Sequence, residues 1–134
     1  MKNFCFVFLA ICTLFSCTNS SSITLTKFVG SPKYETSKLY LKNVVKSSDT
    51  LIENGYFFNY NIENFELGAQ TIKDFDFNLA NSHKGQHIHL IVNNGPYSAK
   101  YENSFEQNFE SENNVILAFL SRSYHESVKN ANSY

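Results

Sequence analysis

Cysteine runs out at residue 17. The chain's three cysteines are Cys5, Cys12 and Cys17, so residues 18 to 134 have no thiol for a disulfide, a thiolate metal centre or a cysteine nucleophile. Charge of one sign never gathers into a block either. Beyond residue 16 there are 10 basic against 12 acidic side chains, a formal charge of about −2. That argues against a nucleic-acid partner, which needs a basic patch or stripe. No apolar run after Phe15 is long enough to cross a bilayer as a helix. No glycine-rich phosphate loop, paired-cysteine motif, nucleotide fingerprint or Gly-x-Ser-x-Gly elbow is present. Serine, histidine and acidic residues do meet at 121–126, but nearness in sequence does not make a triad. The expectation is a protein that is not an enzyme. Alanine is scarce while aromatic and β-branched residues are common, which tilts the class toward β-structure.

The N-terminus is what remains of the hydrophobic stretches. Met1-Lys2-Asn3 gives a short positive start, and Phe4 to Phe15 is an apolar run too short for a bilayer of about 30 Å. This pattern predicts a secretory signal over residues 1–16. Its end, Leu14-Phe15-Ser16-Cys17, resembles the lipobox of bacterial lipoproteins, with the small residue needed before the cysteine supplied by Ser16. The resemblance implies diacylation of Cys17 and attachment to a membrane through several acyl chains, more than enough for stable anchoring. Thr18 after the cysteine resembles the sorting signal for a Gram-negative outer membrane, on its periplasmic or its surface face. Residues 17–22 then form the lipidated cysteine and a small polar spacer. Residues 23–134 are long enough for one domain with its own core and too few for two.

Within that domain the periodicity is that of short strands. Ile23 to Val29 predicts one, broken by Gly30-Ser31-Pro32. Lys38 to Lys46 predicts a second, with Leu39, Leu41 and Val45 on one side and Tyr40, Lys42 and Val44 on the other. Asn54-Gly55 signals a turn. Tyr56, Phe58, Tyr60 and Ile62 then share a face that should supply much of the core. Asp74 to Leu79 predicts a short strand. Glu102 to Asn114 reads as one or two helical turns or a loop pinned by Phe105 and Phe109. Val115 to Leu120, apolar throughout, predicts a central strand covered on both faces. About seven strands at intervals of about ten residues imply an all-β fold, an antiparallel immunoglobulin-like β-sandwich. In this order a final strand would normally follow the apolar one, and the polar stretch from Ser121 to Ser133 gives none. The expectation is a sandwich that ends in a loop or lacks its last strand.

The best-specified element is Gln86 to Asn93. Ile88, Leu90 and Val92 lie on one face, opposite His87, His89, Ile91 and Asn93, and Asn94-Gly95 follows as a hairpin signal with Tyr97 to Tyr101 returning antiparallel. A His-x-His pair on a strand sends two imidazoles to one side. With His125 from a later loop they would form a three-nitrogen site suited to copper or zinc. His83 is a weaker candidate. An ordinary reading stands beside this one, a packed or outward histidine pair bonded to its neighbours. A second candidate is an anion site in which Arg122 offers a bidentate fork, with Lys84 and Lys129 as further cations and Ser121, Ser123 and His125 adding donors. Its ordinary counterpart is a solvated loop in which Glu126 holds the arginine.

Three segments also carry a family resemblance: Gly85-Gln86-His87-Ile88-His89-Leu90-Ile91-Val92-Asn93-Asn94-Gly95-Pro96-Tyr97, Glu66-Leu67-Gly68-Ala69-Gln70, and Leu117 to Asn130 with Ser121-Arg122-Ser123-Tyr124-His125-Glu126 at its centre. They are similar to a family of small Bacteroidota lipoproteins, some labelled automatically as phosphopeptide-binding. No forkhead-associated signature accompanies them. A more distant likeness is to exported domains that combine a histidine-rich strand, a later loop histidine and a final strand. That likeness implies corresponding roles for His87, His89 and His125, and a last strand missing here. The sequence thus supports a lipid-anchored envelope binding module for copper or zinc. The alternatives are a phosphopeptide or anion binder using Arg122 and Lys84, or a structural envelope protein meeting another envelope protein.

Overall fold

The computed structural model describes residue 23 and residues 29–48, 54–76 and 78–134. The expected signal, lipidation site and spacer lie outside them, as does most of the first expected strand. Ile23 and Val29, its ends, are exposed and not in strands. The described residues contain no helix and six strands: β1 (Lys38–Lys46), β2 (Gly55–Glu63), β3 (His87–Val92), β4 (Ser98–Lys100), β5 (Ser104–Asn108) and β6 (Ile116–Ser121). They form two antiparallel three-stranded sheets, ordered β1-β2-β5 and β4-β3-β6. The fold is all-β, as the periodicity predicted. The order matches the A-B-E and C′-C-F sheets of an immunoglobulin-type sandwich, in which a seventh strand would lie beside β6.

The core lies between the sheets. Leu39, Phe58 and Tyr60 from the first meet Ile88 and Leu120 from the second, with Phe109 and Val128 closing the cluster. The alternation read along β2 is observed, since Phe58 and Tyr60 are buried while Phe57 is exposed. Phe58 and Phe105 stack at 5.9 Å across the β2–β5 pair. Each large side chain fully withdrawn from water in such a cluster contributes about 1.5–3 kcal/mol.

Several local expectations are corrected. In β1 the pairing with β2 slips between Leu41 and Asn43, so Val44 opposes Phe58 and Val45 opposes Phe57. The extra residue, Lys42, reverses the alternation. Val44 therefore joins Leu39 and Leu41 on the inward side, and Val45 turns outward. The hairpin after β3 turns one residue earlier than expected. Asn93 and Asn94, not Asn94 and Gly95, hold positive φ of 50° and 58°, and Gly95 N–H closes the turn on the Val92 carbonyl at 2.9 Å. Asparagine tolerates this region because its short side chain bonds locally. The Asn93 side chain here reaches across to the start of β6, accepting from Val115 N–H.

Residues 104–108 form strand β5 rather than helical turns. Phe105, aligned with Phe58 and Tyr60, makes its period that of a strand. The described residues of 74–79 are irregular. The apolar run near 115–120 becomes β6 at a sheet edge, and β3 takes the centre. Its inward residues reach the core while Leu117 stays about half exposed.

The segment after β6 works as a staple. It turns back at 122–126, bridges Ser121 to Ser127, and its Val128 N–H bonds to the Leu120 carbonyl. Further along, the Asn132 carbonyl accepts from Leu39 N–H of β1 and the Ser133 carbonyl from Leu120 N–H of β6. One short stretch thus ties the outer edges of both sheets together. Buried Ser133 completes the tie through its hydroxyl, 3.1 Å from that of buried Ser37.

Candidate metal centre

His87 and His89 leave the same side of β3, and both are buried, at 0% and 6% exposure. Alternation alone would leave this outer face of the sheet in water. Two features cover it. The 122–126 turn folds over the face and delivers His125, and Tyr97 and Tyr101 close in from the β4 side. The register explains the tyrosines: His89 opposes Ala99, so residues two before and two after Ala99 flank the histidines on one face. The Tyr97 ring stacks on His89 at 3.9 Å between centroids, and the Tyr101 ring lies 5.1 Å from that of His87. Phe119 of β6 adds an apolar wall 5.1 Å from His89.

His125 reaches the cluster by an uncommon backbone conformation. Its φ is +65°, and the turn is held by Arg122 N–H on the Glu126 carbonyl at 2.9 Å and His125 N–H on the Arg122 carbonyl at 3.0 Å. A non-glycine residue in this region costs energy that the surrounding turn must overcome, and such residues cluster at functional sites. Its ring stands 5.1 Å from His87 and 5.8 Å from His89.

One ring nitrogen from each of His87, His89 and His125 lies within 4.8 Å of the others, close enough for the three to hold a metal ion. The hydrogen bonds define the protons. His87 Nδ1 is 2.8 Å from the Gly85 carbonyl, which can only accept, so Nδ1 carries the hydrogen and Nε2 keeps its lone pair. His89 Nε2 lies 2.8 Å from that lone pair and donates to it. A backbone carbonyl that fixes the tautomer and orientation of an imidazole is the usual outer support of a ligating histidine. Burial holds the pKa of His87 below the ordinary imidazole value, with the charge of His125 adding to it. Burial, then His87 and His125, lower His89 to about 4. Both rings are therefore neutral at pH 7, the form that binds a metal.

The other sequence candidates do not join this cluster. His83 is exposed in the loop before β3 and lies outside it. Arg122 is buried and its guanidinium faces backbone carbonyls: Nε and Nη2 donate to Pro32, and Nη1 donates to Ser127 at 2.9 Å. Glu126 stands 3.6 Å from the same guanidinium, and the Tyr34 ring 5.5 Å from it. Arg122 thus binds the segment before β1 to the 122–127 turn, with its fork already engaged. Lys84 is elsewhere, its ammonium 5.4 Å from the centre of the Tyr101 ring. It lines a different groove from the one that Arg122 shares with exposed Lys129. Ser123 Oγ accepts from Thr71 N–H, and Ser121 Oγ donates to the Arg122 carbonyl. Tyr97, Tyr101, Phe119 and the Gly85 carbonyl were not singled out from sequence. Once His89 is set opposite Ala99, the two tyrosines follow from the two-residue period.

No protein-family model, curated protein or solved structure matches the chain.

Proposed function

We propose that this protein is a lipid-anchored envelope binding module whose ligand is a divalent first-row metal ion, copper or zinc, held by His87, His89 and His125. The observation that carries the reading is the His87 hydrogen bond to Gly85. It leaves an unprotonated Nε2 on buried His87, 2.8 Å from His89 Nε2, in a cluster where a ring nitrogen of each of the three histidines lies within 4.8 Å of the others. Imidazole suits both metals, and a thiol-free set does not favour the softer Cu(I). The anchoring part of the reading rests on Cys17 and the apolar run before it. The anion-binding alternative loses support, because the Arg122 guanidinium is engaged within the fold and Lys84 lies in another groove.

Thermal unfolding with and without metal tests the reading. An ion that binds only the folded chain raises Tm by mass action, by the equivalent of about 2.7 kcal/mol when free metal is a hundred times Kd. The 134-residue chain in detergent, with its cysteines alkylated, should melt higher in Zn(II) or Cu(II) and return to its starting Tm on addition of chelator. His125→Asn keeps a residue that tolerates the backbone conformation of the turn, and should fold yet lose the shift. An unchanged Tm in the parent chain, or a shift kept by His125→Asn, contradicts the proposal.

A further inference from the structure

Tyr97 brings a fourth donor to the three imidazoles. Its hydroxyl lies 3.4 Å from His125 Nδ1, while its ring stacks on His89 with 11° between the planes. The other tyrosine beside the cluster is engaged elsewhere, since Tyr101 shares a hydrogen with Ser82 Oγ at 2.7 Å. Tyr97 is about half exposed, so its hydroxyl has a route for a proton to leave.

Two of the donor spacings are those of a coordination shell. Around a first-row ion with bonds of about 2.0–2.1 Å, neighbouring donors in tetragonal or tetrahedral geometry stand about 2.8–3.4 Å apart. His87 Nε2 to His89 Nε2 is 2.8 Å, and Tyr97 Oη to His125 Nδ1 is 3.4 Å. Each pair is bridged by one hydrogen. Two donor pairs, each sharing a hydrogen and joined through the packed His87, His89 and His125 rings, are what an ion would occupy by replacing those hydrogens.

We infer that the Tyr97 phenol oxygen is the fourth ligand of the centre, giving a site of three nitrogens and one oxygen suited to Cu(II). This rests on the metal reading above. In the binding step the ion takes the oxygen lone pair and the phenol proton passes to solvent. The hydrogen on His89 Nε2 moves to Nδ1 of the same ring, so that ring stays neutral. Copper keeps its oxidation state, and one proton is released for each ion bound. A tetragonal nitrogen and oxygen set favours Cu(II) among the ions considered. Tyr97 follows directly on the β3–β4 turn that Gly95 N–H closes on the Val92 carbonyl.

The test compares the 134-residue chain, cysteines alkylated and in detergent, with Tyr97→Phe, which keeps the stacked ring and removes only the oxygen. The probe is Cu(II) alone. The parent protein should develop a phenolate-to-copper charge-transfer band in the visible and release one proton per copper. Tyr97→Phe should lose both and bind tenfold or more weakly, with circular dichroism and the metal-free Tm unchanged. Copper binding with the same spectrum and proton count in Tyr97→Phe overturns the inference while leaving the histidine site standing. Absence of copper binding by the parent chain overturns both.

Discussion

Gly85 meets two demands at one backbone position. Its φ of +84° suits glycine, and a Cβ there would lie 2.2 Å from the Gly68 carbonyl oxygen and 2.6 Å from that of Ala69. Its own carbonyl fixes the His87 tautomer. Gly85→Ala should therefore cost about 2–4 kcal/mol of unfolding free energy, read by urea denaturation, and should weaken metal binding as well. The neutral histidines also make stability depend on pH. His87 and His89 titrate lower in the folded chain than when unfolded, so between the unfolded imidazole value near 6.5 and about 4 the unfolded chain binds more protons. Stability is complete above pH 6.5 and falls as the pH drops through that window. The loss should be on the order of 3 kcal/mol in metal-free protein. Denaturation at several pH values should show this slope, and His89→Gln should flatten it.

The turn from Arg122 to Ser127 is the element on which the site depends. It carries His125, and it is bound to the segment before β1 through the Arg122 contacts to Pro32 and the Tyr124 hydroxyl bond to Ser31 at 2.8 Å. Arg122→Met would leave the part-buried carbonyls of Pro32 and Ser127 without donors, at about 2–3 kcal/mol. Phosphopeptide binding would be no test of that variant, but the metal-induced rise in Tm should shrink with it. Strand β3 was legible because strict alternation, a turn signal and two histidines agree over one stretch. So was β2. Strand β5 was not, since Phe105 and Phe109 are spaced equally well for a helical face, and only the pairing with β2 decides between them. The switch of side within β1 was hidden for a similar reason: a bulge adds one residue without a local signature, and everything beyond it changes face. Which histidines meet was half legible, because the strand supplies two by its period, while the third depends on a turn that closes on its own carbonyls. Tyr97 could be read only after the register was known.

At the scale of the whole molecule, a small sandwich leaves apolar surface at its edges. The C-terminal stretch covers β1 near Leu39, but Tyr40, Leu41, Val44 and Val45 remain between 41% and 53% exposed. Lys38, Lys42 and Lys46 are spaced along that strand, and charge on an exposed edge discourages pairing with another chain. Replacing Lys42 and Lys46 with threonine should leave Tm nearly unchanged and raise the rate of aggregation, followed by light scattering. The central claim belongs to the whole molecule too, because its donors come from β3 and from a turn more than thirty residues later. Isothermal titration of Cu(II) and Zn(II) into the 134-residue, cysteine-alkylated chain in detergent tests it most directly, beside His87→Ala/His89→Ala and the distant control His83→Ala. One ion per chain should bind with a micromolar or tighter Kd, unaffected by His83→Ala and abolished in the double variant. No binding heat in the parent chain, or equal binding in the double variant, would contradict the account.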